Sequence, residues 1–219
     1  MASHSIENYL KALLALSRGG ANVSVSDLSR ELGVSKPSAN GMVKRLRDMG
    51  WLEYERYRPI RLTEAGRREA ALVVRKHRLT EMFLVEKMGF GWEEVHPIAE
   101  QIEHIDSPVF FERMDHLLGS PSFDPHGSPI PDREGNLARQ PGTRLSDCRA
   151  GDAVVLTGLD HSGPDFLTYL NGKGLQLGTV MMVEAVDDYD GTVRTAYAGR
   201  VTVLPRESAE KLLVDRQAN

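Results

Sequence analysis

Two stretches of this chain carry histidines and carboxylates at spacings that suit a divalent cation. In RKHRLTEMF, His77 and Glu81 are four residues apart, which stacks them on one face of a helix and lets both reach one ion. In VHPIAEQIEHID, His96, Glu100, Glu103 and His104 fall at i, i+4, i+7 and i+8, again a single helical face. Any one of these residues alone is more often a solvated surface group. Together they set an acidic, histidine-containing stripe where paired helices should bury an apolar seam, and that points to metal binding. A metallohydrolase could use the same groups, but it would need an open coordination position, a general base and a substrate cleft. No HExxH or comparable catalytic signature occurs. The chemistry expected is therefore metal binding without catalysis.

Such ligands need helices to carry them. From Glu64 to about Lys87 the pattern is one long helix, and Pro97 to about Leu118 reads as another with His96 near its start. Upstream, Ser5 suits the N-cap of a helix over 5–17, where Ile6, Tyr9, Leu10, Leu13, Leu14 and Leu16 recur at near-helical spacing before Gly19-Gly20 stops it. Ser24 opens a short helix in VSDLSREL that closes at Gly33. Val34-Ser35-Lys36 then leads through Pro37 into a further helix, with Ala39, Met42, Val43 and Leu46 on one side and Gly50 past its end. Helix, tight glycine-containing turn and helix make a helix-turn-helix unit. After it, WLEYERYRPIRLT reads as two short strands around Arg56-Tyr57-Arg58-Pro59, a basic wing.

The polar first turn of the second helix of this unit, Ser35, Lys36, Pro37, Ser38 and Asn40, faces away from the apolar stripe, with Lys44, Arg45 and Arg47 on the solvent side. Such a helix can enter a major groove with its first turn at base edges and its basic residues on phosphates. A solvated charged face would explain the lysines and arginines alone equally well. Arg56, Arg58 and Arg61 have no core to serve, however, and phosphate contact is the better use for them. The overall charge of −4 does not oppose this, because residues 1–62 hold ten Lys/Arg against six Asp/Glu while the remainder is acidic.

Between 119 and 142 lies a proline-rich stretch that is most simply a linker. Residues 143–205 then alternate short β-type runs (AVVLTGL, TVMMVEAV, RTAYAG, VTVLP) with Gly/Asp turns, the pattern of a small antiparallel barrel. The expected boundaries are a winged helix-turn-helix over 1–63, a helical metal-binding and dimerisation domain over 64–118, the linker over 119–142, the barrel over 143–205 and a tail over 206–219. The fold class is mainly α with a small β module. Cys148, the single cysteine, is given no role. No apolar run of membrane-spanning length occurs, and MASHSIENYL lacks the order of a secretory signal, so a cytoplasmic protein with no membrane partner is expected.

The segments IENYLKAL, SKPSANGMVKRL, YERYRPIRLT, RKHRLTE, VHPIAEQIEH and HGSPIP, in this order and followed by the barrel, resemble the diphtheria toxin repressor family of metal-dependent regulators, in its manganese transport branch. The resemblance implies a winged helix, a helical dimerisation domain and an SH3-like, FeoA-like barrel. It implies one metal site at Asn8, Glu100, Glu103 and His104. A second would use His77, Glu81 and His96, completed from the barrel, where Asp160, and less directly His161 or Asp165, are the expected donors. Asn8 stands where iron-sensing relatives have Met and manganese-sensing ones Asp, and Glu100 where iron sensors have Cys. Lys11 stands where some manganese regulators have a second Glu, which argues against their close-paired two-ion arrangement.

All these ligands are oxygen or imidazole nitrogen, donors that suit Mn²⁺, with Fe²⁺ as the alternative. The resemblance implies a transcriptional regulator and no enzyme. A homodimer would bind palindromic double-stranded operator DNA, and the ion would fix the spacing of its two recognition helices by joining Asn8, on the first helix, to Glu100, Glu103 and His104. A metal-independent winged-helix regulator would leave the His/Glu spacing unexplained.

Overall fold

In the computed structural model, residues 4–17, 20–56, 58–138 and 142–217 are described. Tyr57, at the tip of the expected wing, lies outside them. The described residues fall into two compact units, one built from 1–80, 99–122 and 130–138, the other from 81–98, 123–129 and 139–219.

The first unit opens with α1 (His4–Leu16), α2 (Val25–Glu31) and α3 (Lys36–Asp48). Ser24 caps α2 in a reciprocal pair with Asp27, and Ser35 caps α3 by accepting from the Ser38 amide, with Pro37 in the first turn where its missing N–H costs nothing. Ile6, Leu10 and Leu13 of α1 pack with Leu28 of α2 and Ala39, Val43 and Leu46 of α3 in one buried core. Antiparallel strands β1 (Leu52–Glu53) and β2 (Arg61–Leu62) follow, with Leu52 opposite Leu62, which is the expected wing. Gly66, on the next helix, is fixed by close approach, since a Cβ there would lie 2.0 Å from the Trp51 carbonyl oxygen.

Helix α4 (Glu64–Met88) runs through both units, giving His77 to the first and Glu81 to the second. The single helix expected over 97–118 is instead two, α5 (His96–Ile102) and α6 (Pro108–Leu117). Proline at 108 cannot donate inside a helix and disfavours helical geometry in the residue before it, so the chain breaks at 103–107 and restarts with Pro108 in the first turn. Val109, Phe110 and Leu117 leave an apolar face of α6 exposed.

The second unit is centred on a six-stranded antiparallel sheet, ordered β3-β8-β4-β5-β6-β7, from β3 (Thr143–Arg144), β4 (Ala153–Leu159), β5 (Val180–Val186), β6 (Val193–Tyr197), β7 (Arg200–Leu204) and β8 (Leu212–Arg216). Helix α7 (Pro164–Lys173) connects β4 to β5, and the short α8 (Arg206–Ala209) precedes β8. The expected tail over 206–219 is thus corrected through residue 216. Leu212 and Val214 are fully buried, and β8 pairs with both β3 and β4. The expected linker is corrected too, because Asp124, His126 and Ile130 are buried and Phe123 bridges to Pro129. Within the second unit the Leu159 amide donates to the His126 carbonyl at 3.0 Å, and a Cβ on Gly127 would lie 2.3 Å from the Thr157 carbonyl oxygen. The segment is laid directly along β4. Among the described residues no helix is long and apolar enough to cross a membrane.

Candidate metal centres and DNA-reading surface

The break after α5 shapes the first cluster. The Glu103 amide still donates to the Ala99 carbonyl at 2.9 Å, so Glu103 and His104 continue the last turn and then leave the helix. They lie past the end of α5, not on one continuous helical face as their spacing suggests. Glu103 has no solvent exposure. A carboxylate so placed must be hydrogen-bonded and charge-balanced. His77 Nδ1 approaches its Oε2 at 2.5 Å and Lys11 Nζ its Oε1 at 2.7 Å. Burial alone would raise the Glu103 carboxyl, but the His77 hydrogen bond and the Lys11 charge outweigh it and hold the group below the usual carboxylate range. Ligand-type atoms of His77, Glu100 and Glu103 lie within 4.8 Å of one another.

His104 is oriented from α1. Its Nδ1 lies 2.5 Å from Glu7 Oε2, and an ionised carboxylate can only accept, so Nδ1 carries the hydrogen. In the neutral ring the lone pair is then on Nε2, which faces Glu103 Oε1 at 3.7 Å. A carboxylate that accepts from one ring nitrogen and so fixes the tautomer is the usual support of a metal-binding histidine. Stacking of the His4 ring at 4.5 Å adds a further constraint. Nearby on α1, Asn8 Oδ1 is buried without a hydrogen-bond partner, one of two such side-chain atoms among the described residues. A cation would satisfy it, so the residues present fit a divalent ion.

The second cluster lies in the second unit. Glu81, Asp124 and His126, all buried, bring ligand-type atoms within 4.8 Å of one another, and His96 Nδ1 is 3.3 Å from Glu81 Oε1. His126 Nε2 lies 2.8 Å from the Trp92 carbonyl oxygen, an acceptor, so Nε2 holds the hydrogen. The Nδ1 lone pair of the neutral ring therefore faces Glu81 Oε2 at 3.8 Å, acceptor toward acceptor. A cation placed between them would bind both. Asp124 is held by its own turn, its Oδ1 accepting from the His126 and Ser128 amides at 2.9 Å each.

Glu7, Lys11, Asp124 and His126 are the residues that sequence reasoning missed as parts of these clusters. HGSPIP includes His126, but nothing local marks it as a ligand. Asp160 is not drawn into either cluster. Its carboxylate accepts from the Arg144 guanidinium at 2.9 Å, and it belongs to none of the metal-capable groups found among the described residues. His161 lies beside the Phe166 ring, and Asp165 sits in the first turn of α7.

Ser35, which caps α3, and Lys36, Pro37, Ser38, Lys44 and Arg45 on it are exposed, as are Arg56 and Arg58 of the wing. Arg58 Nε pairs with Glu55 at 3.0 Å, both side chains about three-quarters exposed. Asn40 Oδ1 accepts from the Tyr54 hydroxyl at 3.1 Å, tying the recognition helix to the wing strand and leaving the amide N–H₂ of Asn40 as its donor.

Residues 1–60 match the iron dependent repressor N-terminal DNA binding domain, residues 63–132 the iron dependent repressor metal binding and dimerisation domain, and residues 143–216 the FeoA domain. The chain is 32% identical to the iron-dependent repressor IdeR of Mycobacterium bovis over 96% of both chains. It is 28% identical to the diphtheria toxin repressor of Corynebacterium diphtheriae over 95% of this chain and 96% of the other. Among solved structures it is similar to a manganese-dependent transcriptional repressor in complex with manganese, with TM-score 0.86 and 32% identity over 97% of this chain and 100% of that one. It is also similar to the manganese regulator SloR, with TM-score 0.77 and 27% identity over 97% and 98%.

Proposed function

We propose, for a chain that belongs to the iron-dependent repressor family of metal-dependent, DNA-binding transcriptional repressors, that the activating ion is Mn²⁺, with Fe²⁺ as the alternative. Its DNA-binding and dimerisation domains make DNA and a second copy of the chain its partners. We further propose that the dimer binds a palindromic operator in the cytoplasm, through Ser35, Lys36, Pro37, Ser38, Asn40, Lys44, Arg45, Arg56 and Arg58. The exposed apolar face of α6 supports the dimer.

What supports the metal reading is the buried, partnerless Oδ1 of Asn8 on α1, the helix whose Glu7 and Lys11 contact His104, Glu100 and Glu103, together with a donor set made only of oxygen and imidazole nitrogen. Asn8, Glu100, Glu103 and His104 would hold one ion, while Glu81, His96, Asp124 and His126 would hold another; His77, expected with Glu81 and His96, lies in the first unit and contacts Glu103 there. A bound ion supplies positive charge and coordination that join α1 to the turn after α5. Glu7 keeps the His104 tautomer in which Nε2 is a ligand, and the Trp92 carbonyl does the same for Nδ1 of His126. Hard, sulfur-free donors favour Mn²⁺ without settling selectivity by affinity, because Mn²⁺ is the weakest binder of the divalent series, so geometry and availability must decide. IdeR, at 32% identity, is described as iron-dependent and the similar repressor of known structure, also at 32%, as manganese-dependent, so identity does not choose between the two ions.

Metal occupancy then fixes the separation of two recognition helices against half-sites about one helical turn, roughly 34 Å, apart. A coupling of about 1–3 kcal/mol between ion and DNA is the usual scale. The test is fluorescence anisotropy on duplexes enriched from a random library, titrated anaerobically with buffered Mn²⁺ and Fe²⁺. Activation by Mn²⁺, reversal by chelator and palindromic enriched sites are expected. Equal affinity with ion and with chelator would overturn the reading.

A further inference from the structure

The most unusual group in the first cluster is a cation that the chain itself supplies. Lys11 Nζ lies 2.5 Å from Glu100 Oε1 and 2.7 Å from Glu103 Oε1, with its side chain only 20% exposed. Glu103 Oε1 is also the oxygen that faces the lone pair of His104 Nε2 at 3.7 Å. The ammonium therefore holds the carboxylate oxygens that a divalent ion would need. Glu103 is fully buried, so two cations cannot share its Oε1 at such distances without strong repulsion.

We propose that Lys11 is a tethered competitor for the first metal site: it neutralises Glu100 and Glu103 while no ion is bound and must swing out when one enters. The proposal rests on the metal reading above. Lys11 lies one turn beyond Glu7 and three residues beyond Asn8, so one face of α1 carries the residue that orients His104, a ligand, and the competitor. The state without metal is consequently not an open one. Two ion pairs from Lys11 and the Glu7–His104 contact already tie α1 to Glu100, Glu103 and His104, and metal entry exchanges one tie for another. The response threshold is set by that exchange, because any ion must first displace the ammonium.

The test compares wild type with Lys11→Met and Lys11→Arg, measuring Mn²⁺ affinity by competition with a fluorescent chelator and melting temperature with and without Mn²⁺. The second cluster is the same in all three proteins and cancels in the comparison. Lys11→Met should bind Mn²⁺ more tightly by roughly 5–150-fold, the usual range for two coupled events. It should melt lower without metal and unchanged with it, whereas Lys11→Arg should stay close to wild type. In wild type, acylation of the Lys11 amine followed by mass spectrometry should accelerate on adding Mn²⁺, a readout that needs no variant. Equal Mn²⁺ affinity in Lys11→Met and wild type, an equal loss of melting temperature in both metal states, or Lys11 labelling that does not rise with Mn²⁺ would overturn the proposal while leaving the metal reading intact. Absence of any Mn²⁺ or Fe²⁺ binding to wild type would remove both.

Discussion

Replacing Glu103 by Gln keeps the shape of the side chain and removes its charge. The native carboxylate is inaccessible to solvent and accepts from His77 Nδ1 and Lys11 Nζ on its two oxygens. A glutamine has one acceptor oxygen and one donor amide, so it can accept from only one of the two native donors, and with its oxygen on Lys11 its amide is satisfied at His77 Nδ1 only if the ring changes tautomer. Loss of a charge-assisted hydrogen bond costs about 1.5–3 kcal/mol, and breaking a buried ion pair by removing one partner costs about 3–5 kcal/mol. Lys11 keeps Glu100, which places the expected loss at the lower end, about 3 kcal/mol. At about 2–4 °C per kcal/mol for a chain of this size, the metal-free melting temperature should fall by roughly 6–12 °C. The chain has two tryptophans, Trp51 in the first unit and Trp92 in the second, so fluorescence in a Trp92→Phe background follows the first unit alone. Mn²⁺ should raise the melting temperature of that unit in the parent and not in Glu103→Gln. A loss below about 1 kcal/mol, or full stabilisation of the variant by Mn²⁺, would refute the reasoning.

Asn8→Asp should tighten Mn²⁺ by adding an anionic oxygen, and Glu100→Cys should shift potency toward Fe²⁺, Co²⁺ or Zn²⁺; metal-dependent DNA binding in chelator-buffered solution checks both. Arg58→Ala should weaken binding to all duplexes and lower the slope of log affinity against log salt by about one, measured by anisotropy at several salt concentrations. Gly127→Ala would drive a Cβ to 2.3 Å from the Thr157 carbonyl oxygen at φ +80°. It should destabilise the second unit by about 2–4 kcal/mol by urea titration and reduce the bound Mn²⁺ by the ion proposed for Asp124 and His126. Burial, then the Asp152 charge, push the Cys148 thiol up, so it should react with a thiol reagent at neutral pH only as the second unit unfolds. Because its folded value lies above the unfolded one, the contribution of the neutral thiol to stability is complete below the unfolded value and is lost as pH rises through the folded one.

Periodicity made the ligand-bearing helices, the helix-turn-helix and the wing legible, because each is set by contacts within a few residues. The clusters are assembled at longer range. Lys11 meets Glu100 and Glu103 across 89 and 92 residues, and Glu7 meets His104 across 97. No local pattern marks such pairs. Asp124 and His126 were hidden for another reason. Proline-rich composition suggests a linker, yet Gly127 lets the segment lie on β4, and the backbone pairing of His126 with Leu159 buries it. The same limit explains β8, whose apolar run Leu212-Leu213-Val214 is too short to stand out until pairing with β3 and β4 buries it.

Helix α1 explains how a change at the ligands can reach DNA without a flexible relay. Glu7, Asn8 and Lys11 occupy one face, while Ile6, Leu10 and Leu13 occupy the opposite one and are fully buried against α2 and α3. Leu28, Val43 and Leu46, which receive them, have no exposure either, and close-packed interiors transmit displacement where loose ones absorb it. The recognition helix is further fixed to the wing through Asn40 and Tyr54. Helix, recognition helix and wing strands share one buried core, and exchanging the Lys11 tie for coordination at Asn8 would act on that core through α1. A metal-responsive repressor built this way needs no folding transition: it needs two alternative ties on one rigid helix face, and a charge difference between them large enough for a divalent ion to choose.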